Sequence, residues 1–404
     1  MKNKKKIIIY NNNPINLEEY FFLLIKILES KFEILFIQLN FSISSLHINK
    51  LSNYEKKYKN FKVLYLDKQK TIKDFKYHLK LKNFFNKISF SEYSAVIYTS
   101  EFYVIDKYLL FFANKSSIKK ILVCPNVLSP NIIDIYDQKK NIYKLTKKNK
   151  LLNYVKFNLR NFLIDINYIL LPLLTIGKFF QSTPSRNFSF ELIESDHVVC
   201  HDTIEMKTLK YIFPNKKGII HCCEHPLKNK KILSKNNNKM LLIMGGYVNE
   251  CDFSQINFIF LASEYIYKKF DIEEIDIRFH PRTNFKLRWI SEFENLLKKN
   301  GLKYNFLALL DQKPISSVSK SYKFYLGPLS SAIKLLGYTS NSKIIGLLNT
   351  YDKFTKSEKK IHFGDSFNVN LVRNLSELKT LVFKKKSNFE LNKQNFEETI
   401  LKLI

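Results

Sequence analysis

The sequence predicts an α/β protein made of two Rossmann-like, doubly wound domains. Three observations point there. Short apolar runs alternate with stretches of helical spacing along most of the chain, as in a parallel sheet covered on both faces. The 404 residues exceed one ordinary domain and suit two of about 150–200 residues each. A polar stretch, Lys228 to Lys239, contains Asn236-Asn237-Asn238 and reads as a linker between them.

The elements follow in order. Lys6–Tyr10 is a buried strand, ended by Asn11-Asn12-Asn13-Pro14. Leu17–Glu29 carries Phe21, Leu24, Ile25 and Leu28 at helical spacing. Glu33–Leu39, Lys62–Leu66 and Ser94–Tyr98 are further strands, Glu101–Asn114 is a helix, and Ile118–Cys124 a fifth strand. All nine glycines lie after residue 176, so glycine turns do not mark these boundaries. Residues 126–190 lose the rhythm and read as a helical insertion. It resumes with His197–Cys200, a helix over Thr203–Ile212 and a strand at Gly218–His221.

In the second half, Met240–Met244 is a strand ending in Gly245-Gly246, and Phe253–Phe270 a helix. Ile275–Phe279 is a strand ending in His280-Pro281, and Phe285–Asn300 a helix with Gly301 as its C-cap. Tyr322–Leu326 is a strand ending in Gly327-Pro328. Leu329–Leu336 is a helix closed by Gly337, and Lys343–Leu348 another strand. The expected domains are residues 1–227, on the acceptor side and including the insertion, and residues 240–404, on the nucleotide side.

Composition excludes several classes. Apolar residues make up 45% of the chain, enough for a core, so the net charge of +30 does not describe a disordered tail. Only six of the 66 basic residues are arginine, and the abundant Lys, Asn, Ile, Phe and Tyr share A/T-rich codons. Nucleic-acid readers use Arg for bidentate contacts, and no zinc-finger, RRM or helix-turn-helix pattern occurs, so no nucleic-acid partner is expected. Five cysteines, an odd number without paired spacing, fit a reduced, cytoplasmic protein. The opening apolar run is too short for a signal peptide, and no stretch approaches the ~20 apolar residues of a membrane span. The nearest, Tyr168 to Ile176, is broken by Pro172. The lysines are compatible with peripheral contact on the inner face of an anionic membrane.

Chemistry is expected at three strand ends of the second half, which a parallel sheet brings to one edge. The first runs Gly245-Gly246-Tyr247-Val248-Asn249-Glu250-Cys251-Asp252, and a carboxylate there can take a proton from a hydroxyl. The second is Arg278-Phe279-His280-Pro281-Arg282; with Arg288 it holds three of the six arginines. An imidazole between guanidinium groups can neutralise a phosphate and protonate its leaving oxygen. The third is Gly327-Pro328-Leu329-Ser330-Ser331, where a helix start offers unpaired N–H groups and hydroxyls to a phosphate. Ser330 can equally be a plain N-cap, Asp252 a cap for the helix at Phe253, and His280 a structural residue.

His221-Cys222-Cys223-Glu224-His225 has the look of metal ligands. Its cysteines are adjacent, whereas zinc sites separate them by roughly two to four residues, so no metal is expected. His201-Asp202 ends another strand, with Asp202 read as an N-cap. P-loop, dinucleotide-binding and nucleophile-elbow motifs are absent.

The order of acidic loop, His-Pro and Ser-Ser resembles the bacterial lipooligosaccharide sialyltransferases over residues 239–348. The match is carried by Arg278-Phe279-His280-Pro281-Arg282, with Gly245-Gly246 and Ser330-Ser331 around it. The resemblance implies a GT-B fold with the two domains facing a cleft, and transfer of sialic acid or a related nonulosonate from a CMP-sugar to a surface glycan, with inversion. The donor is a substrate; no metal or cofactor is implied. Asp252 or Glu250 would be the base. His280 would bind and protonate the phosphate, with Ser330 and Ser331 on the same phosphate and Gly245 and Gly246 allowing close backbone approach. Arg278, Pro281, Arg282, Gly327 and Pro328 complete the nucleotide set. Two departures stand out. The acidic pair lacks its following Gly, being Glu250-Cys251-Asp252-Phe253, and Pro314-Ile315-Ser316-Ser317 replaces a Pro-x-Glu segment. Two other readings stay open: a CDP-polyol phosphotransferase of the teichoic-acid type, and a non-catalytic protein that binds membranes or polyanions. A lipid-linked glycan acceptor is expected as partner, and a dimer is neither required nor excluded.

Overall fold

The computed structural model describes residues 4–12, 17–40, 45–67, 75–99, 104–125, 195–212, 218–229, 237–244, 253–279, 283, 285–307, 315–318, 321–328, 330–339, 342–348, 369–383 and 394–404. The chain divides into two compact units, Met1–Glu224 with Gln394–Ile404, and His225–Lys393. The expected insertion at 126–190 lies outside the described residues.

The first unit holds strands β1 (Lys5–Asn11), β2 (Phe32–Asn40), β3 (Phe61–Asp67), β4 (Tyr93–Tyr98), β5 (Lys119–Val123), β6 (His197–Cys200) and β7 (Ile220–Cys222). They pair in parallel in the order β3-β2-β1-β4-β5-β6-β7. Ile7, Ile8, Ile9 and Tyr10 are fully buried, so both faces of β1 are covered, and its apolar run is unbroken for that reason. A π-turn at Leu17–Phe21 leads into α1 (Phe22–Leu28). α2 (Ser45–Lys57), α3 (Phe75–Asn86), α4 (Val104–Lys115) and α5 (Thr203–Ile212) follow. The strands and α5 sit where the sequence places them to within a residue, except β7, expected over Gly218–His221, which starts only at Ile220. The reading of the chain misses α2 and α3. α2 buries only a narrow stripe, with Leu51 fully covered and Tyr54 half-covered against Phe22, too sparse to show as periodicity.

The second unit repeats the winding. It contains β8 (Asn237–Met244), α6 (Phe253–Lys269), β9 (Glu274–Phe279), α7 (Arg288–Lys299), β10 (Tyr304–Phe306) and α8 (Ile315–Val318). β11 (Tyr322–Pro328), α9 (Ser331–Thr339), β12 (Lys343–Leu347), β13 (Asn370–Val372) and α10 (Leu375–Lys379) complete it. The sheet order is β10-β9-β8-β11-β12-β13, all pairs parallel. In both sheets the strand order reverses beside the first strand, the arrangement of two Rossmann-like domains.

α7 shows how sequence becomes packing. Trp289, Ile290, Phe293 and Leu297 fall on one face and are buried against the sheet. Each side chain so covered contributes about 1.5–3 kcal/mol relative to exposure. The helix starts at Arg288 rather than Phe285, because Leu287 is extended. Gly301 closes it at φ +67°, a conformation a side chain disfavours. Gly337 does not act alike: α9 runs through it to Thr339. The expected linker also shortens. Asn237, Asn238 and Lys239 open β8, where Asn238 Nδ2 donates to the Asp271 carbonyl (2.7 Å) and Lys239 pairs with Glu274. Polar residues suit a strand's first turn outside the core, so composition alone misreads them.

The final helix, α11 (Phe396–Leu403), is capped by Asn395, whose side chain accepts from Glu398 N at 3.2 Å. Phe396, Ile400 and Leu403 enter the first unit's core, and the Phe396 and Tyr20 rings meet edge-on at 5.6 Å. Lys31–Glu397 (3.2 Å) is exposed on both sides and adds at most ~1 kcal/mol, so apolar burial seats the helix. Residues 394–404, placed by the sequence in the second domain, thus belong to the first unit.

Candidate functional site

β9, β8 and β11 are neighbours in the second sheet, with the reversal of strand order between β8 and β11. Met244 and Phe279 stand opposite each other at the strand ends, and Leu326 of β11 stands opposite Leu242 of β8. The three polar segments therefore leave one carboxyl edge at the switch point, where ligands of such sheets bind. Gly245, Gly246, Glu250, Asp252, His280, Pro281 and Arg282 lie outside the described residues.

β11 approaches β8 very closely. A Cβ on Gly327 would stand 2.3 Å from the Ile243 carbonyl oxygen, far inside contact distance, so only glycine fits there. Pro328, also buried, ends the strand. Ser330 then caps α9: its carbonyl accepts from Lys334 N (3.1 Å) and its Oγ from Ile333 N (3.4 Å). The cap is long and weak. Ser331 is the first residue of α9.

Along β9 the pleat sends Ile275, Ile277 and Phe279 into the core, where Phe279 meets Phe285, Trp289 and Phe306. Asp276 and Arg278 occupy the opposite face. Buried Asp276 accepts from Tyr322 Oη (2.8 Å) and Asn305 Nδ2 (3.1 Å). Burial and then the bond to Asp276 push the Tyr322 hydroxyl far above its ordinary pKa, while the Arg278 charge acts against that push. Arg278 thus sets a positive charge one residue before the strand end. Arg288 does not join it: its side chain is exposed on α7 and pairs with Glu292 at 2.7 Å.

Four other histidines have partners within the fold. His201 is buried, its ring nitrogens 3.3 Å from the Cys223 carbonyl and 3.1 Å from Tyr20 Oη. Asp202 caps α5 by accepting from Glu205 N at 3.1 Å. His225 Nδ1 accepts from Leu227 N (3.2 Å). His221 Nε2 lies 3.2 Å from His197 Nδ1. Burial lowers both of their pKa values; His197, Lys210 and Lys402 lower His221 further. A bond to Cys222 and then burial push the Cys200 thiol well up. Among the described residues no group of three or more His, Cys, Asp or Glu side chains could hold a metal ion.

One polar constellation escaped the sequence reading. At the carboxyl edge of the first sheet, beside its own switch point between β1 and β4, Asp106 of α4 is fully buried. Its Oδ1 accepts from Tyr10 Oη (3.1 Å) and Asn12 Nδ2 (3.3 Å). Asn12 Oδ1 accepts from Thr99 Oγ1 (3.0 Å), and Asn11 Nδ2 donates to Gln38 Oε1 (2.9 Å). The signal was the asparagine run after β1, which marks a strand end and hides its side-chain roles.

Among the described residues no helix is long and apolar enough to cross a membrane. No protein-family model matches the chain, and no curated protein matches its sequence. Solved structures do resemble its fold. A UDP-GlcNAc 2-epimerase from Methanocaldococcus jannaschii has a TM-score of 0.56 at 14% identity over 99% of each chain. A putative UDP-N-acetylglucosamine 2-epimerase from Listeria monocytogenes gives 0.57 at 10% identity, over 93% of this chain and 86% of that one. TcCGT1 in complex with UDP gives 0.55 at 9% identity, over 98% and 92%. The architecture is that of GT-B enzymes.

Proposed function

We propose that the protein is a glycosyltransferase that takes a nucleotide-activated sugar at the carboxyl edge of β8, β9 and β11. The observation that carries this reading is the placement of three polar strand ends on adjacent parallel strands of a GT-B fold. Arg278 sets positive charge at that edge, Gly327 lets two strands close up, and the start of α9 offers N–H groups to a phosphate. The finer assignment is transfer of sialic acid or a related nonulosonate from CMP to a surface glycan, and it rests on the His280-Pro281 and Ser330-Ser331 motifs. Asp252 or Glu250 takes the acceptor hydroxyl's proton. The freed oxygen attacks the anomeric carbon from the face opposite CMP, and the bond to the CMP phosphate breaks. His280 gives the leaving oxygen a proton, and Ser330, Ser331 and Arg282 hold its charge. The acceptor's contacts in the first unit are assigned to Asn12 and Thr99, with Asp106 holding Asn12 from within.

A second reading keeps the site and changes the donor. TcCGT1 carries UDP and the two epimerases are named for a UDP-sugar, which favours uridine over cytidine. Incubation with CMP-sialic acid or a UDP-sugar and a galactose-terminated acceptor separates the two by the nucleotide released. His280→Ala cuts the rate by ~10²–10⁴ if the histidine is the acid; an unchanged rate removes it from the mechanism.

A further inference from the structure

The second unit carries a basic, partly apolar surface that the catalytic reading leaves unused. α6 and α10 border an open groove of about 460 Å³. Leu261, Tyr265 and Leu375 supply its apolar wall, Lys268, Lys269 and Lys379 its charge, and Glu264 is the one acid that lines it. Glu264 is engaged by Lys268 at 2.6 Å. Tyr265 Oη donates to the Lys379 carbonyl (3.3 Å), fastening one helix to the other.

The surface continues from there. Lys269 Nζ lies over the rings of Tyr265 (5.0 Å) and Phe270 (5.7 Å). Phe270, Phe324 and Phe383 pack together with centroids 4.6–6.2 Å apart. Lys343 Nζ stands over all three, at 4.9, 5.2 and 4.6 Å. These lysines hold their ammonium groups against aromatic faces. Val382, next to Phe383, is 84% exposed. The sequence runs on from Phe383 into Lys384-Lys385-Lys386.

We infer that this surface docks the protein on an anionic lipid bilayer, with Lys268, Lys269, Lys343 and Lys379 on the headgroups and Val382 and the groove wall toward the acyl boundary. Charge complementarity selects this partner. Three lysines line the groove with one acid, which Lys268 already pairs, and Lys343 adds a fourth positive charge beside it. Lysines are point charges that anionic headgroups satisfy in any orientation. A nucleic acid read by geometry would call for arginine forks, and none lines the groove. An exposed valine beside lysine-covered rings adds the apolar component of an interfacial surface.

The test is cosedimentation of the full chain with vesicles of phosphatidylcholine, with and without phosphatidylglycerol, at low and high salt. Binding should require phosphatidylglycerol and weaken with salt. The triple variant Lys268→Ala, Lys269→Ala, Lys379→Ala should lose about fivefold per lysine, roughly a hundredfold in all. The triple Lys→Arg variant should keep binding, and Val382→Asp should weaken it. Lys56→Ala, Lys57→Ala, Lys59→Ala removes the same charge from exposed positions of the first unit and should change little. Equal loss in that control would overturn the proposal, because total charge alone would then explain binding. So would no vesicle binding, or binding to heparin or RNA alone through these same lysines. Turnover with a soluble acceptor should be unchanged in the groove variants. The catalytic reading therefore stands or falls on nucleotide release, separately from this one.

Discussion

Gly327 on β11 lies so close to Ile243 on β8 that a Cβ on the glycine would meet the Ile243 carbonyl oxygen at 2.3 Å. The contact joins the two strands that flank the switch point, so a local steric limit spaces them at the edge proposed to hold a phosphate. Gly327→Ala must push the strands apart. Overpacking of this kind costs about 1–3 kcal/mol, read as a lower urea midpoint for the second unit. Gly218→Ala, in the first unit, is the control: nothing lies within 4 Å of its added Cβ, and neither unit's midpoint should move by more than about 0.5 kcal/mol equivalent.

Tyr322→Phe removes the hydroxyl that donates to Asp276 at 2.8 Å. The carboxylate is buried, and only the Asn305 bond (3.1 Å) remains of this pair of donors. Stability should fall by about 1–3 kcal/mol, the cost of a charged acceptor losing its partner. An unchanged midpoint would show that water replaces the hydroxyl.

The His197–His221 pair makes stability depend on pH. Burial lowers both folded pKa values; His197 and nearby lysines lower His221 further, while Asp196 partly opposes the shift at His197. The unfolded chain then binds more protons than the folded one once pH falls through about 6.5, the ordinary histidine value. Stability is fully present above that pH and declines below it. Melting temperature should therefore drop between about pH 7.5 and pH 5.5, and the drop should shrink in His197→Asn, His221→Asn. An equal drop in the double variant would assign the effect elsewhere.

The buried strands were the most legible part of the chain. β1, β4 and β11 are covered on both faces, so each shows as a run of apolar residues that composition alone reveals. Elements half in water were not. α2 buries one narrow stripe, the first turn of β8 is Asn-Asn-Lys, and α11 announces itself only by its Asn395 cap. That α11 packs under Tyr20 is a relation across most of the chain, which no local pattern records. Of the candidate site, the three strand ends and their common edge were readable, because parallel winding places them there. The Asp106 network was not, since Tyr10 and Asn12 lie almost ninety residues or more from Thr99 and Asp106 and each is individually unremarkable.

That network carries its own prediction. Asn12 and Thr99 are half-buried at the first sheet's carboxyl edge, with Asp106 holding Asn12 from within. Asn12→Ala should raise the acceptor KM about tenfold, one hydrogen bond's worth, and leave nucleotide affinity as it was. A loss of nucleotide affinity instead would contradict an acceptor role.

The most direct measurement is a calorimetric titration of the full chain with CMP, CDP, UDP and GDP, repeated on His280→Ala and Ser330→Ala. CMP should bind the wild type. Each variant should bind it about ten- to a hundredfold more weakly, the value of one hydrogen bond to a charged phosphate. UDP binding in place of CMP would keep the site and replace the donor. Binding of no nucleotide, or equal binding in all three proteins, would contradict the claim that this edge holds a nucleotide-sugar.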